Sequence, residues 1–352
     1  MTTQYRWIDF EKVGVEGRGW KDREFPYDRF PLHAKERLVG ICGNLWDLGH
    51  SSTGMCITFR TDSTEIRVRR EFALAPLNEF NFNACAFSGF DLYGETPAGK
   101  WRWIGTTPHA DSEKPEYSIA VNMAPGFRRY RIYLPLRNQL LKAELGILRG
   151  SRFEAEPPRP LKESVVFYGT SIVHGAYVSH AGLSHPSRLG RELDFPVINL
   201  GVSGRARMEP DIADLLGELD CRLFVIDAQP NMTPELVRRN ALPFLKRLRK
   251  LRPKTPFLLV ETPDRTNDWV YPELHELTRG LRIAQREVYR RILMEGEKNI
   301  FYLKGQNLFG RDGEHSVDGL HPGDCAAERM YKKMRTAIRS ILEKDRSVFC
   351  LG

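Results

Sequence analysis

The stretch Ser164-Val165-Val166-Phe167-Tyr168-Gly169-Thr170-Ser171-Ile172 joins a short apolar run to a glycine, with a serine two residues beyond it. The run that begins at Val165 is typical of a strand buried on both faces. Gly169 permits a sharp exit from this strand, which a residue with a Cβ atom resists. Because open parallel sheets bind ligands at the carboxyl ends of their strands, Ser171 is placed to act as a nucleophile. The alternative is that Ser171 only begins the following helix.

Three more polar sites follow in order, two of them at the ends of apolar runs. They are Asn199-Leu200-Gly201-Val202-Ser203-Gly204, Gln229-Pro230-Asn231-Met232 and Asp318-Gly319-Leu320-His321-Pro322. Over about residues 161 to 345, this order and spacing resemble the SGNH, or GDSL-type, hydrolase superfamily. The resemblance places the four residues that name the superfamily at Ser171, Gly201, Asn231 and His321.

The residue types at these sites suit nucleophilic catalysis. A serine hydroxyl attacks an acyl carbon poorly at neutral pH unless a base lies within hydrogen-bonding distance, and the pKa of histidine suits that task. His321 is the candidate base, and Asp318, three residues earlier, is the candidate for orienting its ring. His174 follows the serine by three residues, but the chain leaving the strand carries it away from Ser171.

The resemblance also implies an oxyanion hole that stabilises the negative charge of a tetrahedral intermediate. Its donors would be the N–H groups of Ser171 and Gly201 and the side-chain amide of Asn231. Seen singly, Gly201 is also compatible with a plain turn and Asn231 with a loop before a helix. Thr170 and Gln229 depart from the broader superfamily, which has aspartate and glycine there; both are normal in the subgroup with a Gly-x-Asp-Leu-Tyr domain.

The sequence pattern of the first 155 residues predicts β structure. Residues 55–60 and 65–70 alternate apolar and polar side chains around Thr61-Asp62-Ser63, which predicts a hairpin. Many short strands without helices predict a sandwich of the jelly-roll kind. The further strand candidates are residues 84–87, 101–104, 117–121, 129–134 and 141–147.

The segment Ser88-Gly89-Phe90-Asp91-Leu92-Tyr93 matches the Gly-x-Asp-Leu-Tyr signature of an N-terminal domain found ahead of some SGNH hydrolases. Asp91 and Tyr93 are candidate substrate-binding residues on this basis. The alternative is that Tyr93 is a core residue and Asp91 makes a turn contact. Trp101 and Trp103 share one face of a strand, where they either stack on sugar or pack in the core.

A proline-rich segment, Glu154 to Pro160, separates two patterns. We predict a β domain over residues 1–155, a linker over 156–160 and a catalytic domain over 161–352. In the second half strands alternate with helices, which predicts a parallel sheet. The resemblance implies a flavodoxin-like, three-layer α/β/α domain with five strands. We place the strands near 164–168, 196–200, 222–227, 256–260 and 299–304, and helices from 234, around 277–292 and over 324–342.

Charge and composition exclude several classes of protein. The formal charge is +8, but the basic segment 246–252 lies on a helix whose apolar residues recur at helical spacing, so the charges form a solvated face and no nucleic-acid partner is predicted. No apolar run approaches the ~18 residues of a membrane span, and the first residues lack a signal-peptide pattern. We therefore expect no membrane partner and a cytoplasmic location. The oligomeric state is left open.

No cofactor or metal is predicted. The six cysteines are scattered without close pairs, which indicates free thiols rather than a zinc ribbon or disulfide framework. An acidic and histidine-containing group is the alternative metal site, although its spacing fits no ligand pattern. Its members are Asp312, Glu314, His315, Asp318, His321 and Cys325.

The sequence thus predicts a serine esterase that hydrolyses short acyl esters, with acetyl groups on a carbohydrate favoured. That substrate comes from the resemblance to two-domain proteins linked to carbohydrate deacylation. Two alternatives remain open: an acyltransferase that uses the same residues with an alcohol acceptor, and a lipase-like esterase on other small esters.

Overall fold

The computed structural model describes residues 4–73, 79–107 and 115–349. Residues 4–156 form an antiparallel β-sandwich in its described parts. Its strands are β1 (Tyr5–Asp9), β2 (Val15–Glu16), β3 (Cys56–Thr61), β4 (Ile66–Phe72), β5 (Asp91–Glu95), β6 (Trp101–Thr106), β7 (Glu116–Ala120), β8 (Arg128–Tyr133), β9 (Leu140–Leu148) and β10 (Phe153–Glu156). The helices in this half are α1 (Phe10–Val13), α2 (Lys35–Ile41) and α3 (Ala84–Ser88).

The strands form two sheets that bury a common core. One sheet has the order β1-β9-β4-β7 and the other β10-β3-β8-β5-β6, with β2 paired to β3. Apolar side chains that alternate along the strands fill the space between them, among them Phe59, Val68, Leu92, Ile132 and Leu145. The β-sandwich prediction is confirmed, and β10 runs one residue past the predicted end of the β domain.

Two local predictions in this half are wrong. Residues 84–87 belong to α3 rather than to a strand, because Ala-Cys-Ala-Phe suits a helix and the Gly89 N–H closes its last turn on the Cys85 carbonyl. The strands predicted as a hairpin, β3 and β4, lie in different sheets. The turn between them bonds elsewhere: Ser63 Oγ accepts from the Leu148 N–H and Asp62 Oδ1 from the Arg152 N–H.

The second half contains a five-stranded parallel sheet of order β12-β11-β13-β14-β15, which is the flavodoxin-like order. Helices cover both faces, so the domain has three layers. The strands are β11 (Val165–Gly169), β12 (Val197–Gly201), β13 (Leu223–Asp227), β14 (Phe257–Val260) and β15 (Ile300–Leu303). The helices are α4 (Ser171–His174), α5 (His185–Leu193), α6 (Pro210–Gly217), α7 (Pro234–Leu251), α8 (Pro272–Met294) and α9 (Asp324–Phe349).

The α/β prediction is confirmed, because buried apolar runs and amphipathic helices decide this part of the fold. The basic charges of α7 lie on its outer face and pair with carboxylates of neighbouring segments, as in the Arg247–Asp214 and Lys246–Glu295 ion pairs. Among the described residues, no helix combines the length and apolar character that crossing a bilayer requires. Five cysteines are free thiols, and Cys350 lies outside the described residues.

The two halves pack against each other through a shared hydrophobic core. Phe30, Leu38 and Trp46 come from the N-terminal half but share a core with Leu200 and α6 of the catalytic half. Arg29 lies beside them, is 2% exposed, and donates to the carbonyl oxygens of Asn199 (3.1 Å) and Gly201 (2.7 Å). The segment around α2 is therefore part of the catalytic core in space, although it precedes that core by more than a hundred residues along the chain.

Candidate active site

The predicted nucleophile lies at a tight strand-to-helix junction. Ser171 is the first residue of α4, and the Thr170 hydroxyl caps that helix by accepting from the Ile172 N–H at 3.3 Å. A Cβ atom at Gly169 would stand 2.5 Å from the Asp227 carbonyl oxygen, so only glycine fits between the strand and its neighbour. Ser171 is 7% exposed and lies just beyond the carboxyl end of β11.

Ser171, His321 and Asp318 form an unbroken chain of hydrogen bonds. The Ser171 Oγ lies 2.6 Å from His321 Nε2, and His321 Nδ1 lies 2.6 Å from Asp318 Oδ2. An ionised carboxylate only accepts, so Nδ1 carries the proton and Nε2 accepts from the serine hydroxyl. This is the tautomer that a general base requires.

Local backbone contacts hold the Asp318 carboxylate in place. Its Oδ1 accepts from the N–H groups of His321 (2.8 Å) and Leu320 (3.0 Å). Burial raises the pKa of Asp318, but these N–H groups and the His321 ring outweigh burial and hold the pKa below its ordinary value. The carboxylate therefore stays ionised, and the three-residue spacing seen in the sequence is explained by a closed turn.

Asn231 follows β13 in a short 3-10 turn, Gln229–Asn231. The hydrogen-bond network assigns its amide orientation: the oxygen accepts from the N–H groups of Arg205 (3.0 Å) and Gly204 (3.3 Å). This contact joins the two loops that follow β12 and β13. It also leaves the NH₂ group of Asn231 on the opposite side, where it can donate to a ligand.

The predicted donor role of Gly201 does not fit this geometry. Its N–H is donated to Asn199 Oδ1 at 2.9 Å, and a Cβ atom at this position would stand 2.3 Å from the His174 nitrogen. Gly201 is thus a close-packed contact between β12 and α4. Gly204, three residues on, has φ +73° and no atom within 4 Å of its Cβ position, so it faces open space beside Asn231.

Gln229, a departure from the superfamily pattern, has a structural role that the sequence did not reveal. It is fully buried, its Oε1 accepts from the Thr262 N–H, and its Nε2 donates to the Leu281 carbonyl, both at 2.6 Å. These bonds tie the loop that carries Asn231 to the segment after β14 and to α8. A polar glutamine two residues after a buried strand was the feature of the sequence that indicated this role, because a buried amide needs hydrogen-bond partners.

The predicted substrate-binding residues Asp91 and Tyr93 are buried instead. Asp91 is inaccessible to solvent, and its Oδ2 accepts from the Gly182 N–H and from His180 Nδ1, both at 2.6 Å. Tyr93 is 4% exposed, with the Arg191 guanidinium 4.0 Å from its ring centroid. Both residues join the β domain to the chain after α4, because the signature segment faces the catalytic domain.

His174 also belongs to the contact between the domains. Its Nε2 lies 2.7 Å from the Leu136 carbonyl, so it donates there, and its Nδ1 accepts from the Ser203 hydroxyl at 3.1 Å. Burial, together with the positive charges of Arg29 and Arg137, lowers the pKa of His174 well below its ordinary value. A neutral, fully bonded imidazole is no candidate base for Ser171.

The alternative metal site is not assembled. Within residues 4–73, 79–107 and 115–349, no three histidine, cysteine or acidic side chains converge in a way that would hold an ion. Asp312 instead pairs with Arg329, and Asp318 is occupied by His321.

Comparisons with known proteins agree with this fold. The GDSL-like Lipase/Acylhydrolase family matches residues 162–339, and the N-terminal domain of SGNH-hydrolase-type esterases matches residues 5–153. These two matches define the class as SGNH-type ester hydrolases. The chain belongs to the GDSL-like lipase/acylhydrolase family.

Solved structures share the whole two-domain arrangement. One described as a GDSL-like lipase from Bacteroides ovatus has a TM-score of 0.88 and 28% identity, covering 96% of this chain and 98% of that one. A salicylyl-acyltransferase from a tetracycline biosynthetic pathway has a TM-score of 0.76 and 18% identity, covering 97% and 98%. A family two carbohydrate esterase from Cellvibrio japonicus has a TM-score of 0.61 and 13% identity, covering 96% and 98%. A search of curated proteins found no match.

Proposed function

We propose that this ester hydrolase acts through a covalent acyl-enzyme on Ser171. The observation that carries the proposal is the chain of two 2.6 Å contacts from the Ser171 hydroxyl through His321 to Asp318. Ser171 Oγ attacks the acyl carbon while its proton passes to His321 Nε2. The imidazolium then protonates the leaving alcohol, and the ester bond breaks. Water attacks the acyl-enzyme with His321 again as base, which releases the acid and restores the serine.

The donors for the oxyanion are the Ser171 N–H and the side-chain NH₂ group of Asn231. The Gly201 N–H is donated to Asn199 Oδ1 and the Gly204 N–H to the Asn231 amide oxygen, so neither of these backbone groups is assigned to the oxyanion. The bonds from Arg205 and Gly204 to the Asn231 oxygen support the proposal, because they orient the amide with its NH₂ group away from that loop. Preorganised donors of this kind lower the barrier by about 3 kcal/mol each.

The proposed substrates are short acyl esters, with acetyl groups on a carbohydrate first. The Cellvibrio japonicus carbohydrate esterase shares the fold at 13% identity. We propose a carbohydrate ester as the substrate of this chain by analogy with it. Trp103 is 50% exposed and packs against His180, with ring centroids 5.4 Å apart. It is therefore not the core residue that the sequence also allowed, and an exposed indole offers a face for a sugar ring.

A panel of p-nitrophenyl esters of increasing chain length, run with and without alcohol acceptors, tests the proposal. Within the panel, we expect the fastest turnover on p-nitrophenyl acetate. We also expect an acetylated xylo-oligosaccharide to release acetate with a kcat/KM comparable to or higher than that for p-nitrophenyl acetate. Acceptor-dependent formation of a new ester in preference to acid would favour the acyltransferase, whose residues are the same. A preference for long chains would favour a lipase-like esterase and contradict the acetyl proposal.

A further inference from the structure

The segment from Gly175 to Gly182, which we call the Tyr177 loop, leads from the nucleophile helix into the contact with the β domain. The Tyr177 ring lies against the His321 ring, with centroids 5.3 Å apart and an angle of 46° between the planes. Tyr177 has φ +68°, a left-handed conformation that costs a bulky residue about 1–2 kcal/mol. Such strain persists only where the surroundings hold the backbone in place.

The β domain fixes the Tyr177 backbone through hydrogen bonds to both its N–H group and its carbonyl oxygen. The Tyr177 N–H donates to the Asn81 carbonyl oxygen at 3.2 Å. The Asn83 side-chain amide donates to the carbonyl oxygens of Tyr177 (3.0 Å) and Val178 (2.9 Å). Three hydrogen bonds from one short segment of the β domain thus fix the strained residue.

A second anchor lies further along the same loop. The Asp91 carboxylate, which is inaccessible to solvent, accepts from the Gly182 N–H and from His180. Val178 is buried in a cluster with Phe82 and Phe87 of the β domain. Residues of the β domain therefore hold the loop at Tyr177 and Val178 and again at His180 and Gly182. The Tyr177 ring, at the first of these anchors, lies against the His321 ring.

We propose that the β domain positions the general base: it fixes the Tyr177 loop, and the Tyr177 ring then holds His321 in line with Ser171 and Asp318. This inference rests on the proposed role of His321. The two ring nitrogens of His321 are restrained by Ser171 and Asp318, whereas rotation out of that line is opposed by a ring packed on the imidazole. Tyr177 and Asn83 are positioning residues and touch no reacting atom in this scheme.

The chain offers a matched pair of variants. Asn83→Ala removes two hydrogen bonds to the loop, and it removes no helix cap because the Asn83 side chain does not cap α3. Asn81→Ala is the control, since Asn81 holds the loop through its backbone carbonyl, which alanine retains. We expect Asn83→Ala to lower kcat about 10- to 100-fold with KM little changed. Asn81→Ala should match the unmodified protein in kcat, KM and Tm.

A pair of substitutions at Tyr177 separates the ring from the loop backbone. Tyr177→Phe keeps the packing on His321 and should retain at least half of kcat. Tyr177→Ala removes the ring and should lower kcat as far as Asn83→Ala does, with the loop still bonded to Asn81 and Asn83. A loss of kcat in Tyr177→Phe equal to that in Tyr177→Ala would assign the effect to the hydroxyl and overturn positioning by packing.

A proton NMR signal gives a readout that needs no substrate. The Nδ1–H proton of His321, bonded to Asp318, should resonate far downfield in protein with labelled histidine. It should broaden or move upfield in Asn83→Ala and in Tyr177→Ala, but not in Asn81→Ala. Asn83→Ala with kcat and resonance equal to Asn81→Ala would overturn the inference, and so would a rise in KM alone. If no ester is hydrolysed yet the resonance responds to Asn83→Ala, the esterase proposal fails and positioning stands.

Discussion

The Ser171 hydroxyl fills little space, so its chemical role is separable from its structural one. We expect Ser171→Ala to abolish ester hydrolysis while leaving Tm within a few degrees of the unmodified protein, because the acyl-enzyme needs Oγ and the core does not. A serine-directed phosphonate should label Ser171 in the unmodified chain, which mass spectrometry of the digest would locate. Labelling at another residue, or near-normal turnover by the alanine variant, would contradict the assignment of Ser171 as the nucleophile.

The amide of Asn231 is proposed to act mainly in the transition state. Asn231→Ala should therefore lower kcat by about 10² to 10³ while KM changes little. Steady-state kinetics on p-nitrophenyl acetate measures both constants. A change confined to KM would make Asn231 a residue that binds the ground state. Asn199→Ala is the comparison, since the Asn199 amide bonds Gly201 and Val173 inside the fold and should act on stability first.

Asp227, at the end of β13, makes stability depend on pH. Among the described residues neither of its carboxylate oxygens has a hydrogen-bond partner, and burial raises the pKa of Asp227 from 3.8 to about 7. The folded state then binds more protons than the unfolded state between these values. Its contribution to stability is therefore full below about pH 4 and is lost as pH rises through 7.

We accordingly expect Asp227→Asn to be more stable than the unmodified protein at pH 8, by up to about 4 kcal/mol, and to differ little at pH 4. Denaturant unfolding at the two pH values measures this difference. Asp220→Asn is the control, because that carboxylate is 69% exposed and its loss should change stability little at either pH. Equal pH dependence in Asp227→Asn and the unmodified chain would show that Asp227 does not titrate in this range.

At the scale of elements, the loop after β13 depends on Gln229. Gln229→Met keeps the volume but leaves the Thr262 N–H and the Leu281 carbonyl without their bonds, so we expect a loss of about 1–3 kcal/mol of stability and a lower kcat. Gln285→Met is the matched control: Gln285 is equally buried and bonds the Val260 carbonyl, away from Asn231. It should lose stability with kcat unchanged. Equal kcat in both variants would contradict a role for Gln229 in holding Asn231.

Among the strands and helices, those of the catalytic half could be predicted from the sequence, whereas the partners of several residues and strands could not. The strands and helices of the catalytic half follow from local runs of buried residues, and β11 to β15 fall within about two residues of their predicted ends. Ser171, His321 and Asp318, which the motifs and the family resemblance predicted together, lie within hydrogen-bonding distance of one another in sequence Ser171–His321–Asp318. The hydrogen bonds of Gly201 to Asn199 and of Asp91 to His180 could not be predicted, because tertiary packing brings these partners together. The false hairpin has the same origin: alternation marks a strand but does not select its partner.

At the scale of the whole molecule, the two halves are joined by a shared hydrophobic core. Burying Phe30, Leu38 and Trp46 against the catalytic sheet contributes several kcal/mol, at about 1.5–3 kcal/mol for each large side chain. Arg29 adds hydrogen bonds to four carbonyl oxygens from a fully buried position, where burial lowers the pKa of its guanidinium to about 9. A boundary drawn at the proline-rich segment cuts through these contacts.

We therefore expect the full chain to unfold in one cooperative transition, with calorimetric and van't Hoff enthalpies that agree. A chain that begins at Leu161 lacks the segment around α2 and leaves Leu200 and α6 uncovered, so it should aggregate or unfold without a sharp transition. Adding residues 18–50 as a separate peptide is the sharper control, because it restores the missing side of the core and should raise Tm if the packing argument holds. Two separate transitions in the full chain, or a chain from Leu161 that folds cooperatively and turns over acetyl esters at full-length rates, would show instead that the catalytic core is complete without its N-terminal cover.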